Sequence, residues 1–237
     1  DPQPHTERCD PMEDVTGGLP DGVNDARRRY GITSDLILCF LRHLSEADAF
    51  QTLDAAVPFL SELTGVGLDS GERGNPPSKF TRVFEKARSL GLRAVAHAGE
   101  EGPAAYITEA LDLLKVERID HGVRCDEDPA LVDRLVRERI PLTVCPLSNL
   151  KLCVVKDLAQ HNFATLLRKG VAVTINSDDP AYFGGYIGEN YRATAKALEL
   201  TNAELVTVAE NAARASFLPA TAKASLLSSI RSEAARA

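Results

Sequence analysis

The sequence predicts an α/β protein of the TIM-type (β/α)8 barrel class, and three observations carry that prediction. Six strand-helix units follow one another with no linker between them, an alternation that requires a parallel sheet with helices outside it. Polar residues stand at the C-terminal ends of successive strands: Asp69, His97, His121, Cys145 through Asn149, and Asp178-Asp179. That is where α/β barrels keep their chemistry. No strand-helix turn carries a G-x-G-x-x-G fingerprint, which removes the main argument for a doubly wound open sheet.

The elements read in order as follows. Gly17, Gly18, Pro20 and Gly22 argue against a long continuous helix before Asn24, and 25 to 30 reads as one or two helical turns. The run 35 to 41, Asp-Leu-Ile-Leu-Cys-Phe-Leu, is a short buried strand. Residues 45 to 63 follow with helical spacing, Ser45 and Asp48 forming a capping pair at the start. Then come a strand at 66 to 69, a helix at 78 to 90, a strand at 92 to 97 and a helix at 104 to 114. A strand at 118 to 121, a helix at 129 to 138, a strand at 140 to 145 and a helix at 158 to 168 continue the pattern. The last strand is 171 to 176. The region from 189 onward is mostly helical, with a capping box at Thr201-Asn202-Ala203-Glu204.

Composition bounds the function. With 237 residues, 44% apolar and 26% charged, the chain has the makeup of one globular domain, taken as 1 to 237. Lysine and arginine number 27 against 34 acidic residues, and aromatic residues make up 5%. There is neither a basic stripe nor a set of stacking rings, so a nucleic-acid partner is not expected. No apolar run approaches the ~20 residues that cross a bilayer. Five cysteines, Cys9, Cys39, Cys125, Cys145 and Cys153, are odd in number and lack a Cys-x-x-Cys pair. They read as reduced thiols in a cytoplasmic protein. The first residues carry no initiator methionine and no secretory signal, and Met12 is the single methionine.

The chemistry concentrates in three stretches. The β-branched run before Ile175-Asn176-Ser177-Asp178-Asp179-Pro180 stops at adjacent carboxylates. Such carboxylates make ordinary turns, but buried at a strand end they need a metal or a shared proton to offset their repulsion. His97-Ala98-Gly99-Glu100 puts an imidazole at a strand end and returns a carboxyl past a glycine. Asp120-His121-Gly122 repeats the arrangement one strand later. Each histidine alone fits a satisfied core position. Several polar strand ends together demand partners, and acid, base and metal ligands are those on offer. His5, His43 and His161 receive no catalytic role: His161 is expected on a solvated helical face and Lys151 on the surface.

These residues, in this order, resemble the zinc-dependent adenosine/adenine deaminases: His-Ala-Gly-Glu at 97 to 100, Ile-Asp-His-Gly-x-Arg at 119 to 124, Cys-Pro-x-Ser-Asn at 145 to 149 and Ser-Asp-Asp-Pro at 177 to 180. Asp1-Pro2-Gln3, the stretch from Gly67 to Phe80 and Pro146 to Leu152 look like the adenine deaminase branch. The resemblance implies hydrolytic deamination of adenine to hypoxanthine and ammonia, in purine salvage, with one zinc ion per complete site. It makes His97 and Asp178 zinc ligands, Glu100 the acid that protonates ring N1, His121 the base that takes a proton from the attacking water, and Asp179 the partner of N7. Chemically this is coherent, because zinc activates water and a purine ring accepts addition at C6 only as N1 gains a proton.

The family also begins with a strand carrying His-x-His, two further zinc ligands, and this sequence contains no His-x-His. The resemblance therefore implies a barrel lacking its first two strands. Two ligands fall short of the three or four that zinc sites use. Adenosine or another 6-aminopurine is the alternative substrate; an inactive remnant that binds purine or metal weakly is the alternative of a different class. A homo-oligomer or a complementing N-terminal segment would be the partner that completes the site.

Overall fold

The computed structural model describes residues 1–8 and 11–236, so Cys9 lies outside the described residues. The chain divides into two compact units, Asp1–His97 with Glu109–Glu117, and Ala98–Thr108 with Arg118–Ala237.

The first unit opens with a single helical turn, α1 (Gln3–Thr6), and continues into α2 (Met12–Tyr30), a helix of 19 residues. This corrects the expectation that glycine and proline exclude a long helix there. Pro20 lies inside α2 and withholds one backbone donor, yet the helix continues to Gly31. Gly31 stops it at φ 68° with its N–H on the Arg27 carbonyl, and Arg27, Arg28 and Arg29 load the last turn with the charge that favours a helix C-terminus. Local propensity was outweighed by these end effects.

Three parallel strands follow, β1 (Leu36–Leu41), β2 (Leu63–Asp69) and β3 (Arg93–Ala98), the last crossing the boundary by one residue. Ile37 pairs with Gly65 and Phe40 with Leu68 across β1 and β2, and Gly65 with Arg93 across β2 and β3. Between β1 and β2 runs α3 (Glu46–Ala56), whose capping box joins Ser45 and Asp48 as expected. The helix expected to reach residue 63 ends at Ala56. Pro58 lacks the N–H that an α-helix needs, and the chain tightens into 3₁₀ turns over Val57–Glu62. α4 (Thr81–Ser89) packs Val83, Phe84 and Ala87 inward, and Phe84 meets Phe40 edge to face at 5.9 Å between centroids.

The second unit holds α5 (Ala104–Glu109) at the boundary and then three more parallel strands, β4 (Arg118–His121), β5 (Pro141–Val144) and β6 (Ala172–Ile175). Register sets Ile119 beside Leu142 and Val144 beside Ile175, so the C-terminal ends of all three strands fall on one side. Helix α6 (Pro129–Glu138) starts with Pro129 at its first position, and Asp128 accepts from the amides of Ala130 and Leu131. A short helix not expected from the sequence, α7 (Pro146–Lys151), begins directly after Cys145. The helix expected over 158 to 168 is interrupted: a 3₁₀ turn spans Leu158–Gln160, His161 is extended at ψ 134°, and α8 (Phe163–Arg168) begins afresh. After β6 come α9 (Pro180–Phe183), α10 (Ile187–Ala197), α11 (Asn202–Ala215) and α12 (Ala220–Ala234). The Thr201–Glu204 capping box forms, and Arg168 together with the Thr201 amide holds the Glu204 carboxyl down at about 2. Ile119, Leu142, Val144, Val173 and Ile175 form the unit's core with Phe163, Leu166 and Val208.

Candidate active site

The candidate site is built at the C-terminal ends of β4, β5 and β6. β4 ends on His121, which is 2% exposed and held at φ 63°, a left-handed conformation that few non-glycine residues adopt. Asp178, past the end of β6, is held at φ 55°. Two such residues at strand ends represent on the order of 1–3 kcal/mol of backbone strain each, of the kind that clusters where side chains must be aimed. The donor atoms of His121, Cys145 and Asp178 lie within 4.8 Å of one another.

Glu100 joins them. Its carboxyl, 8% exposed, places Oε1 3.1 Å from His121 Nδ1. The loop that carries it can reach this position because Gly99 adopts φ 72°, and a Cβ there would come 2.5 Å from Ile107 Cδ1. The Arg124 amide donates to the Gly99 carbonyl at 2.8 Å and the Arg124 guanidinium to the Glu101 carbonyl at 2.8 Å. These bonds tie the Glu100 loop to the loop after β4.

On its other side His121 turns Nε2 toward Asp178 Oδ2 at 3.9 Å, longer than a hydrogen bond. The side chain of Asp178 accepts from the Asp179 amide at 3.1 Å. Asp179 itself is exposed and caps α9, its Oδ1 accepting from the amides of Ala181 and Tyr182 at 2.9 and 3.2 Å. Cys145 is buried, and its thiol is pushed well above its ordinary value by burial and then by the charges of Asp178, Asp120 and Glu100.

The structure thus brings Glu100, His121 and Asp178 together. His97 belongs to the first unit: it is half-buried near the end of β3, and its carbonyl accepts from Arg42 Nη1 at 2.6 Å. Arg42 is fully buried, and its Nε and Nη2 also donate to the Asn75 carbonyl at 2.9 and 2.7 Å.

Two residues of the site were not assigned from sequence. Asn149 was quoted within a motif and given no role, and His161 was expected on a solvated face. The structure corrects the second: His161 is 4% exposed, and its imidazole is driven down to about 4 by burial, against the opposing charge of Asp126. Its Nε2 bonds Asn149 Oδ1 at 3.1 Å, and Asn149 Nδ2 donates to Glu100 Oε1 at 2.5 Å. A signal was present in the sequence, since His161 stands three residues after Leu158 and two before Phe163, among residues that face a core. Lys151 is exposed as expected. So is His43, whose Nδ1 lies 2.8 Å from Ser70 Oγ.

Parallel strands whose C-terminal ends present a buried acid, a buried imidazole and a carboxylate open to solvent are the arrangement of α/β-barrel proteins that carry their chemistry at that face. A family model described as adenosine deaminase matches residues 1–233, and the chain belongs to that family. Among its relatives, an adenine deaminase from Acinetobacter baylyi is 61% identical over 218 residues, covering 92% of this chain and 66% of the relative. One from Paraburkholderia phytofirmans is 59% identical, covering 97% of this chain and 67% of the relative. The crystal structure of an adenine deaminase from Arthrobacter aurescens superposes with a TM-score of 0.97 at 48% identity, covering 100% of this chain and 72% of that one. That of a cog1816 amidohydrolase from Burkhoderia ambifaria with bound Zn gives 0.90 at 27% identity, covering 96% and 64%. The chain spans about two thirds of the length of the curated relatives it matches.

The donor chemistry of the site fits a metal of the zinc type. Asp178 offers a carboxylate open to solvent, and carboxylate oxygen and imidazole nitrogen are donors that suit that ion.

Proposed function

We propose that this protein hydrolyses adenine to hypoxanthine and ammonia, with residues 1–237 acting as one catalytic domain. The observation that carries the reading is the buried pair of Glu100 and His121, 3.1 Å apart, with Asp178 on the far side of the same imidazole. The relatives at about 60% identity that are named adenine deaminase support adenine as the substrate, since those names apply to proteins sharing most of this chain.

In this reading His97 and Asp178 hold a zinc ion. Zinc, when bound, lowers the pKa of a bound water toward neutrality and so supplies a nucleophile. Glu100 donates its proton to ring N1 as water adds at C6, which lets the aromatic ring accept the addition without building negative charge on N1. His121 donates from Nδ1 to Glu100 Oε1, leaving Nε2 unprotonated and facing Asp178, where it takes a proton from the attacking water. That proton passes to the departing amino group as the C6–N bond breaks, the remaining hydroxyl proton of the adduct returns to the Glu100 carboxylate, and ammonia leaves the 6-oxo, N1–H form of hypoxanthine. Asp179 meets N7 of the base. The burial of Glu100 and His121 keeps bulk water from competing for these protons. The absence of a disulfide among the described cysteines Cys39, Cys125, Cys145 and Cys153 suits a cytoplasmic site of action, and no described helix is long and apolar enough to cross a membrane.

The test is turnover of adenine and of adenosine by the full-length, zinc-loaded protein, with hypoxanthine and inosine separated by chromatography. Hypoxanthine is expected from adenine, with adenosine turned over far more slowly. Glu100→Gln should lower kcat by about 10²-fold or more, the contribution of a positioned acid. Stoichiometric zinc with no hypoxanthine would rule the reading out, and faster inosine formation would move the substrate to the nucleoside.

A further inference from the structure

The Phe163 amide can only donate, and it points at His161 Nδ1 from 3.0 Å. His161 must therefore accept at Nδ1 and carry its hydrogen on Nε2. Nε2–H then donates to the Asn149 oxygen at 3.1 Å. With its oxygen engaged, the Asn149 amide is fixed in the orientation that presents Nδ2 to Glu100 Oε1 at 2.5 Å. Each link settles the next, starting from a backbone group that has no alternative role. Asn149 is fully buried, His161 is 4% exposed and Glu100 8% exposed, so no bulk water substitutes for a lost link.

We infer that His161 is a positioning residue for the deamination proposed above, acting through the Asn149 amide to decide which oxygen of Glu100 carries the acidic proton. The inference rests on that reading of Glu100. Oε1 accepts from the Asn149 amide and lies 3.1 Å from His121 Nδ1, which donates to it in the reading above, so it is the acceptor oxygen of the carboxyl group. The proton of a protonated Glu100 is thereby directed to Oε2, the oxygen that serves the substrate in the reading above. If the Asn149 amide turned over, its Oδ1 would face Glu100 and accept that proton, and the acid would be spent on an internal bond. His161 and Asn149 touch neither the base nor the reacting atoms in this account. Their effect is on the orientation of the proton.

The experiment compares wild type, His161→Leu and His161→Gln as full-length, zinc-loaded proteins. For each, kcat and KM for adenine, zinc content and thermal midpoint are measured. His161→Leu should lower kcat about 10- to 100-fold, part of what a positioned acid contributes, with KM within about threefold and zinc retained. Glutamine offers a carbonyl oxygen to the Phe163 amide and an N–H to Asn149. His161→Gln should therefore recover kcat to within about threefold of wild type, which a loss of packing alone would not allow. A second measurement needs no variant: ¹⁵N–¹H long-range correlation on wild-type protein should show neutral His161 with its hydrogen on Nε2. Unchanged kcat in a folded, zinc-loaded His161→Leu, or the opposite tautomer in wild type, overturns this inference and leaves the adenine reading standing. Absence of adenine turnover in zinc-loaded wild type overturns both.

Discussion

Between about 4, where burial has driven the His161 imidazole, and its ordinary value of 6.5, the folded chain resists a proton that the unfolded chain accepts. The folded-state value is the lower one, so the unfolded state binds more protons in that window and stability rises with pH there. This contribution is complete above pH 6.5 and is lost as the pH falls toward 4. Urea unfolding at pH 7 and pH 5 should therefore show wild type losing about 2 kcal/mol more than His161→Gln. Equal losses in the two proteins would mean that His161 takes up its proton in the fold without penalty. At this scale the motif residues were legible from sequence, because Glu100, His121 and Asp178 sit at fixed offsets from strand ends. His161 carried only the weaker signal of Leu158 and Phe163 nearby, because Gln160 and Asn162 flank it and the residue it bonds, Asn149, lies elsewhere in the sequence.

At the scale of elements, the strands and their order could be read from apolar runs and intervening helical periods, and the two capping boxes at Ser45 and Thr201 formed as their residue types demand. α2 could not be read. Four helix-disfavouring residues between 17 and 22 pointed to a loop, while the features that favour the helix, its left-handed stop at Gly31 and the arginines of its last turn, act from outside that stretch. The same observation gives a prediction. A Cβ at Gly22 would meet nothing within 4 Å, so Gly22→Ala should stabilise the protein by about 1 kcal/mol through the lower backbone entropy of alanine in the unfolded chain. A denaturant midpoint that falls in this variant would show that α2 does not form in solution.

On the scale of the whole molecule, the described thiols divide by burial. Cys153 is exposed, Cys39 half-buried, and Cys125 and Cys145 are buried. Burial pushes the Cys125 thiol up to about 12 and Cys145 in the same direction, which removes the reactive thiolate at neutral pH. A brief pulse of iodoacetamide followed by peptide mass mapping should modify Cys153 in the native protein and reach Cys125 and Cys145 only after denaturation. Early labelling of Cys145 would contradict the closed strand end on which the site is built. The glycine that turns the chain toward Glu100 has a different kind of consequence. At Gly99 every one of the nineteen alternatives puts a Cβ on a backbone held at φ 72° and obliges the Ile107 side chain to move, so the position has no conservative neighbour in the genetic code. A mutational library aimed at new substrates would find no diversity to select at 99. Its variation belongs at exposed positions such as Tyr182 and Tyr186, where side chains change without displacing a backbone.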